Sequence, residues 1–221
     1  MSGYRAVLLD LYDTLVWSEW PALRSVIEER TGLQTRALLE AFGRTRPARS
    51  LGTYGSAKED LRAVLEAAGF RPSAELLDEL TRTIAVVLEG GVHLWEDSIV
   101  VLRELRERGI RTAVVSNCDH STRPVVERLG LYEEADAVVL SFEAGAAKPD
   151  LAIYLAALEA VGASPVETLF VDDQADYCDG AVAVGMDALL ILREGDEPWE
   201  GVSEPGGHRV IADLRAVLRL L

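Results

Sequence analysis

The chain has 221 residues, 49% of them hydrophobic, enough for one sizeable domain and a smaller companion. Its 37 acidic and 22 basic residues give a formal charge of -15. With no basic tract to offset that charge, nucleic acid and anionic membranes are poor partners, and an anionic small molecule would have to meet locally gathered cations.

The opening stretch, MSGYRAVLLD, has one arginine and an apolar run too short for a signal peptide or a membrane-spanning helix, so a cytoplasmic location is expected. Residues 5–10 read as a buried strand that runs straight into Asp10. Residues 17–91 carry no strand signal, only amphipathic helices. SAKEDLRAVLEAAG opens with the capping box Ser56 and Glu59, and SAELLDELTRTIAVVLEGG ends on Gly90 and Gly91. This segment reads as a helical cap domain inserted after the first strand, with the glycine pair at its hinge. The rival reading is a helical layer packed permanently on the sheet. Beyond it, helices at 98–109, 121–130, 150–162 and 177–185 alternate with strands at 110–117, 135–141, 167–173 and 186–194. Short β-branched and leucine-rich runs separated by helices imply an α/β fold, a parallel sheet covered on both faces. Two cysteines, Cys118 and Cys178, have neither disulfide-framework nor metal-ligand spacing and read as reduced packing residues.

Open parallel sheets bind ligands beyond the carboxyl ends of their strands. Four polar clusters fall there: Asp10 to Thr14, Ser116 with Asn117, Lys148 in AAKPD, and Asp172 with Asp173 in FVDD. A buried carboxylate is costly unless it is paired or bound to a metal. A nearby lysine would keep a carboxylate such as Asp10 ionised in a dry pocket. Magnesium requires hard oxygen ligands, which Asp10 and Asp173 supply, with Asp172 supporting them directly or through water. Asp13 reads as a turn residue, and Asp176 and Asp179 sit where carboxylates favour a helix N-terminus.

In this order and spacing the four clusters resemble the haloacid dehalogenase superfamily, over nearly the whole chain. The resemblance implies a doubly wound, Rossmann-like core (1–16 and 92–221) with a small all-helical cap (17–91). It makes Asp10 the nucleophile, gives Thr14 and Ser116 the hydroxyls that hold the attacking or transferred group, sets Asn117 beside Ser116, and makes Lys148 the cation that pairs with nucleophile and substrate. It assigns Asp172 and Asp173 to the magnesium motif and gives Tyr12 a metal-facing backbone carbonyl. Phosphatases of the superfamily usually carry a second aspartate where this chain has Tyr12. A tyrosine there, with Tyr154, resembles the 2-haloacid dehalogenases, whose halide leaves without a proton. The doubled acid Asp172 and Asp173 points the other way, to a magnesium-dependent phosphatase. That is the leading expectation, with a carbon-halide hydrolase or an impaired binding protein as alternatives. Trp17 is a candidate lining of a substrate pocket, and Arg44, in a cluster with Arg46 and Arg49, a candidate clamp for a substrate anion. The expected partner is a small anionic molecule, and the expected state a monomer or homodimer.

Overall fold

The computed structural model describes residues 3–193 and 207–221. In chain order these form β1 (Ala6–Leu9), β2 (Val16–Ser18), α1 (Trp20–Thr31), α2 (Thr35–Ser50), α3 (Ala57–Ala67), α4 (Ala74–Gly91) and β3 (Val92–Leu94). There follow α5 (Ser98–Glu107), β4 (Arg111–Ser116), α6 (Thr122–Arg128), α7 (Leu131–Glu134), β5 (Ala137–Leu140), α8 (Ser141–Ala144) and α9 (Leu151–Val161). The last elements are β6 (Thr168–Asp172), α10 (Ala175–Val184), β7 (Asp187–Ile191), β8 (Arg209–Ile211) and α11 (Arg215–Leu218).

All four residues of β1 are buried, as befits a central strand with both faces covered. It pairs in parallel with β4 on one side and β6 on the other, in a six-stranded sheet ordered β5-β4-β1-β6-β7-β8. Alternation along β1 divides the core. Val7 and Leu9 join the cluster under α5, α6, α7 and α11, while Ala6 and Leu8 join the one under α9 and α10. The sheet is thus the doubly wound α/β core that the alternating pattern predicts. The chain leaves β1 toward β4 and leaves β6 toward β7, so the strand order reverses between β1 and β6, where ligand crevices form.

Helices α1 to α4 share a separate apolar cluster built on Leu23, Ile27, Leu38, Leu61, Leu65, Leu77 and Leu80. Ser56 and Ser73 cap α3 and α4 through the Glu59 and Leu76 amides, both at 3.2 Å. Two expectations need correcting. The segment around Trp17 is a strand: β2 and β3 form an antiparallel ribbon at the base of the four-helix insert. At three residues each, these strands are too short to show a period, and their partners lie far apart in sequence. Nor do Gly90 and Gly91 interrupt the chain. Helix α4 runs through both, neither has a positive φ, and Gly91 accepts the Glu19 amide at 2.7 Å. Strand β8 and helix α11 also escaped the pattern, and Glu194, the end of the strand expected at 186–194, lies outside the described residues.

The insert grips the loop after β4. Arg49 pairs with Asp119, and buried Asp60 bonds the His120 ring at 2.7 Å. Gly52, with φ +68°, lies against the Phe142 carbonyl, where a Cβ would collide.

Candidate active site

Strand β1 ends one residue before Asp10, whose amide extends the ladder to the Val171 carbonyl at 2.9 Å. The chain then reverses tightly. Asp13 adopts φ 59° and donates its amide to Val16, while Leu15 and Val16 both donate to Leu11. This turn explains Asp13, because Asp is among the few side chains that tolerate the left-handed region. It also holds Asp10 at the reversal point of the sheet, beside Asp172 at the end of β6.

Lys148 joins them from the loop before α9. Its ammonium is fully buried, 2.5 Å from Asp10 Oδ1 and 2.6 Å from Asp172 Oδ2. Asn117, just past β4, fixes the lysine backbone at both ends: its Nδ2 donates to the Lys148 carbonyl at 2.8 Å and its Oδ1 accepts the Lys148 amide at 2.7 Å. Asn117 therefore positions Lys148. Asp172 also accepts the Gln174 amide at 2.8 Å, and Asp173 the Gln174 side-chain amide at 2.6 Å.

Asp10 and Asp172 share one ammonium with Asp173 close by, and the acidities of all three show the shortfall. Burial pushes Asp10 up to about 7, with Lys148 pulling it back and Asp172 adding repulsion. Burial raises Asp173 to about 7, helped by Asp10 and Asp13, and Asp172 to about 6 against the pull of Lys148. Burial works against the charge of Lys148, yet Asp10 and Asp172 together hold its pKa above the ordinary lysine value. Oxygens of Asp10, Asp172 and Asp173 lie within 4.8 Å of one another. An all-oxygen, electron-rich cluster short of positive charge fits a small hard divalent cation. Asp176 is outside it.

Around this cluster the structure distributes the other expected residues unevenly. Thr14 is fully buried and its hydroxyl has no partner among the described residues, an unmet capacity that buried polar groups rarely keep. Ser116 is buried at the end of β4, its hydroxyl beside the Cys118 thiol. The Tyr12 hydroxyl turns to Thr122 Oγ1 at 3.4 Å, and burial raises its pKa above that of an ordinary phenol. Three side chains are engaged elsewhere. Tyr154 is fully buried, donating to the Tyr177 carbonyl at 2.7 Å, because its face of α9 packs on the sheet against Phe170. Arg44 bonds the Ala67 carbonyl inside the insert, where the last carbonyls of α3 need donors. Trp17 stacks on His93 across the ribbon, ring centroids 4.4 Å apart, and is 37% exposed.

One supporting residue had no sequence signal. Arg193, beyond β7, is buried, clamps Asp97 at 2.8 and 3.0 Å, and donates to the Thr14 carbonyl. Asp97 in turn accepts the Leu214 amide at 2.7 Å. This pair ties the loop after β1 to the far edge of the core. Cys118 and Cys178 are buried free thiols, and no helix among the described residues is long and apolar enough to cross a membrane.

Residues 4–185 match the family model of haloacid dehalogenase-like hydrolases. The sequence is 35% identical to phosphatase MT3486 of Mycobacterium tuberculosis over 143 residues, 64% of this chain and 62% of that protein. It is 32% identical to the (S)-2-haloacid dehalogenase of Pseudomonas sp. strain YL over 120 residues, 54% of this chain and 51% of that one. The match thus spans less than two thirds of either relative. In fold, the chain is similar to the magnesium complex of the haloacid dehalogenase family enzyme BT-2542 of Bacteroides thetaiotaomicron, with a TM-score of 0.70 and 21% identity, covering 90% of this chain and 97% of that one. With the match running from the strand that delivers Asp10 past the doubled acid at Asp172 and Asp173, the chain belongs to the haloacid dehalogenase-like hydrolases.

Proposed function

We propose that the protein is a magnesium-dependent phosphatase that hydrolyses a small phosphorylated metabolite through an aspartyl-phosphate at Asp10. The observation that carries this reading is the cluster of Asp10, Asp172 and Asp173, in which the one paired ammonium, Lys148, reaches only Asp10 and Asp172. A dehalogenase acting on an anionic haloacid would face that surplus of negative charge unaided. Asp10, Asp173 and the Tyr12 carbonyl are the residues that would hold magnesium, with Asp172 in support. The ion would supply positive charge to the phosphoryl oxygens.

An Asp10 oxygen attacks phosphorus, and the bond to the ester oxygen breaks with its electron pair leaving on that oxygen. Water then attacks phosphorus, the Asp10 to phosphorus bond breaks, and phosphate departs, so that one hard step becomes two easier ones. Lys148 opposes the effect of burial on Asp10 and so favours the ionised form that attacks, Asn117 holds Lys148, and the hydroxyls of Thr14 and Ser116 are the donors for the transferred group. The four-helix insert is the cap, residues 17–91, over a core of 1–16 and 92–221. The protein works in the cytoplasm, as a monomer or homodimer.

Tyr12 favours a second reading, a carbon-halide hydrolase using the same Asp10, because a halide needs no general acid. Release of phosphate or halide from panels of phosphate esters and 2-haloacids, each with magnesium and with chelator, separates the two. Phosphate release only with magnesium, lost in Asp10→Asn, is the expected result. Halide release that survives the chelator would replace the phosphatase reading.

A further inference from the structure

A crevice of about 320 Å³ opens where the insert meets the core, lined on one side by Arg46, Pro47, Ser50 and Leu51 of α2 and its end, and on the other by Asn117, Ala147, Lys148, Asp150 and Tyr177. It touches the two residues that present the catalytic cation, and its volume suits a small metabolite. The cations around it differ in what they already hold. Lys148 is spent on Asp10 and Asp172. The two arginines that flank Arg46 in sequence are also engaged, Arg44 with the Ala67 carbonyl and Arg49 with Asp119 and the Phe42 carbonyl. Arg46 makes no hydrogen bond or ion pair with any described residue. Arg46 is exposed, and it lines the crevice. The acid on the opposite wall, Asp150, turns its carboxylate to the Ala152 amide at 2.9 Å as the N-cap of α9.

We propose that Arg46 is a specificity residue that selects phosphate monoesters carrying a second anionic group, a carboxylate or another phosphate, on the part of the substrate that leaves. The proposal rests on the phosphatase reading of Asp10. A guanidinium meets either anion with two parallel hydrogen bonds, the geometry that distinguishes it from a lysine. With the phosphoryl group at Asp10, the remainder of the substrate extends past Asn117 into the crevice. Its far charge meets the one arginine there that has nothing else to bind.

Binding to the inactive Asp10→Asn protein tests this without relying on turnover. Calorimetry with magnesium would compare 3-phosphoglycerate, fructose 1,6-bisphosphate and glycerol 3-phosphate, which end in a carboxylate, a phosphate and a neutral diol. The expected result is affinity on the order of tenfold or more above glycerol 3-phosphate for at least one doubly charged ester. That preference should collapse in Asp10→Asn/Arg46→Gln and partly return in Asp10→Asn/Arg46→Lys. Whichever doubly charged ester shows the preference identifies the anion. Equal affinities for all three, or a preference that survives Arg46→Gln, overturns the proposal. Turnover by the wild-type protein is read separately on the panel of phosphate esters: no phosphate released from any of them would defeat the phosphatase reading, whereas the binding comparison alone judges Arg46.

Discussion

Replacing Asp173 by Asn should stabilise the metal-free protein, and increasingly so as the pH rises. The native pKa of Asp173 is raised from the ordinary 3.8 to about 7, chiefly by burial and by Asp10. Between these two values the native carboxyl holds a proton that the unfolded one has released. A group with a raised native pKa therefore costs stability as pH climbs, and the loss is complete only above about 7. Such a group, whose titration is shared with Asp10, changes the free energy of unfolding by on the order of 1–3 kcal/mol between roughly pH 5 and pH 7.5. Asn carries no such dependence, so in chelator its advantage over wild type should grow by about that amount across the window. Millimolar magnesium should reverse the order at neutral pH, because an ion bound by the native state stabilises it by mass action and the variant lacks a ligand. Urea unfolding of both proteins at several pH values, with chelator and with magnesium, reads both effects. A difference between the two proteins that is flat with pH in chelator would refute the electrostatic account of the cluster. An unchanged response to magnesium in the variant would take Asp173 out of the metal site.

Arg193→Ala should destabilise the protein by about 3–5 kcal/mol, since it strands the buried Asp97 carboxylate and frees the Thr14 carbonyl; a loss below about 1 kcal/mol in urea unfolding would mean the pair is dispensable. Tyr12→Asp should raise kcat/KM on alkyl phosphates by part of the ~10²–10⁴-fold that general acid catalysis supplies, and raise it less on aryl phosphates, whose phenolate departs unaided. The wild-type phenol, buried beside Thr122, is a poor proton donor to an alkoxide. An alkyl-to-aryl ratio that is the same in both proteins would show that position 12 does not serve the leaving group.

Much of this molecule is legible from its sequence because the signals are local. Apolar runs at β1, β4 and β6 give the strands, capping serines give the starts of α3 and α4, and polar residues at strand ends give Asp10, Asn117 and Asp172, with Lys148 in the loop before α9, before any contact is known. A parallel sheet does the rest, since its connections deliver those ends to one edge. What the sequence left open depends on which side chain faces which, and that is decided by packing at a distance. Ribbon β2–β3 forms only because its two halves meet across the insert. Tyr154 has the spacing of a site residue, but the packing of α9 against Phe170 spends its hydroxyl on Tyr177. Among three arginines in one short stretch, the turn of α2 sends Arg44 to Ala67 and Arg49 to Asp119, and leaves Arg46 on the crevice. Arg193 and Asp97 are 96 residues apart and isolated in sequence. Burial makes them a pair, because two charges leave water together only when each has the other to bind.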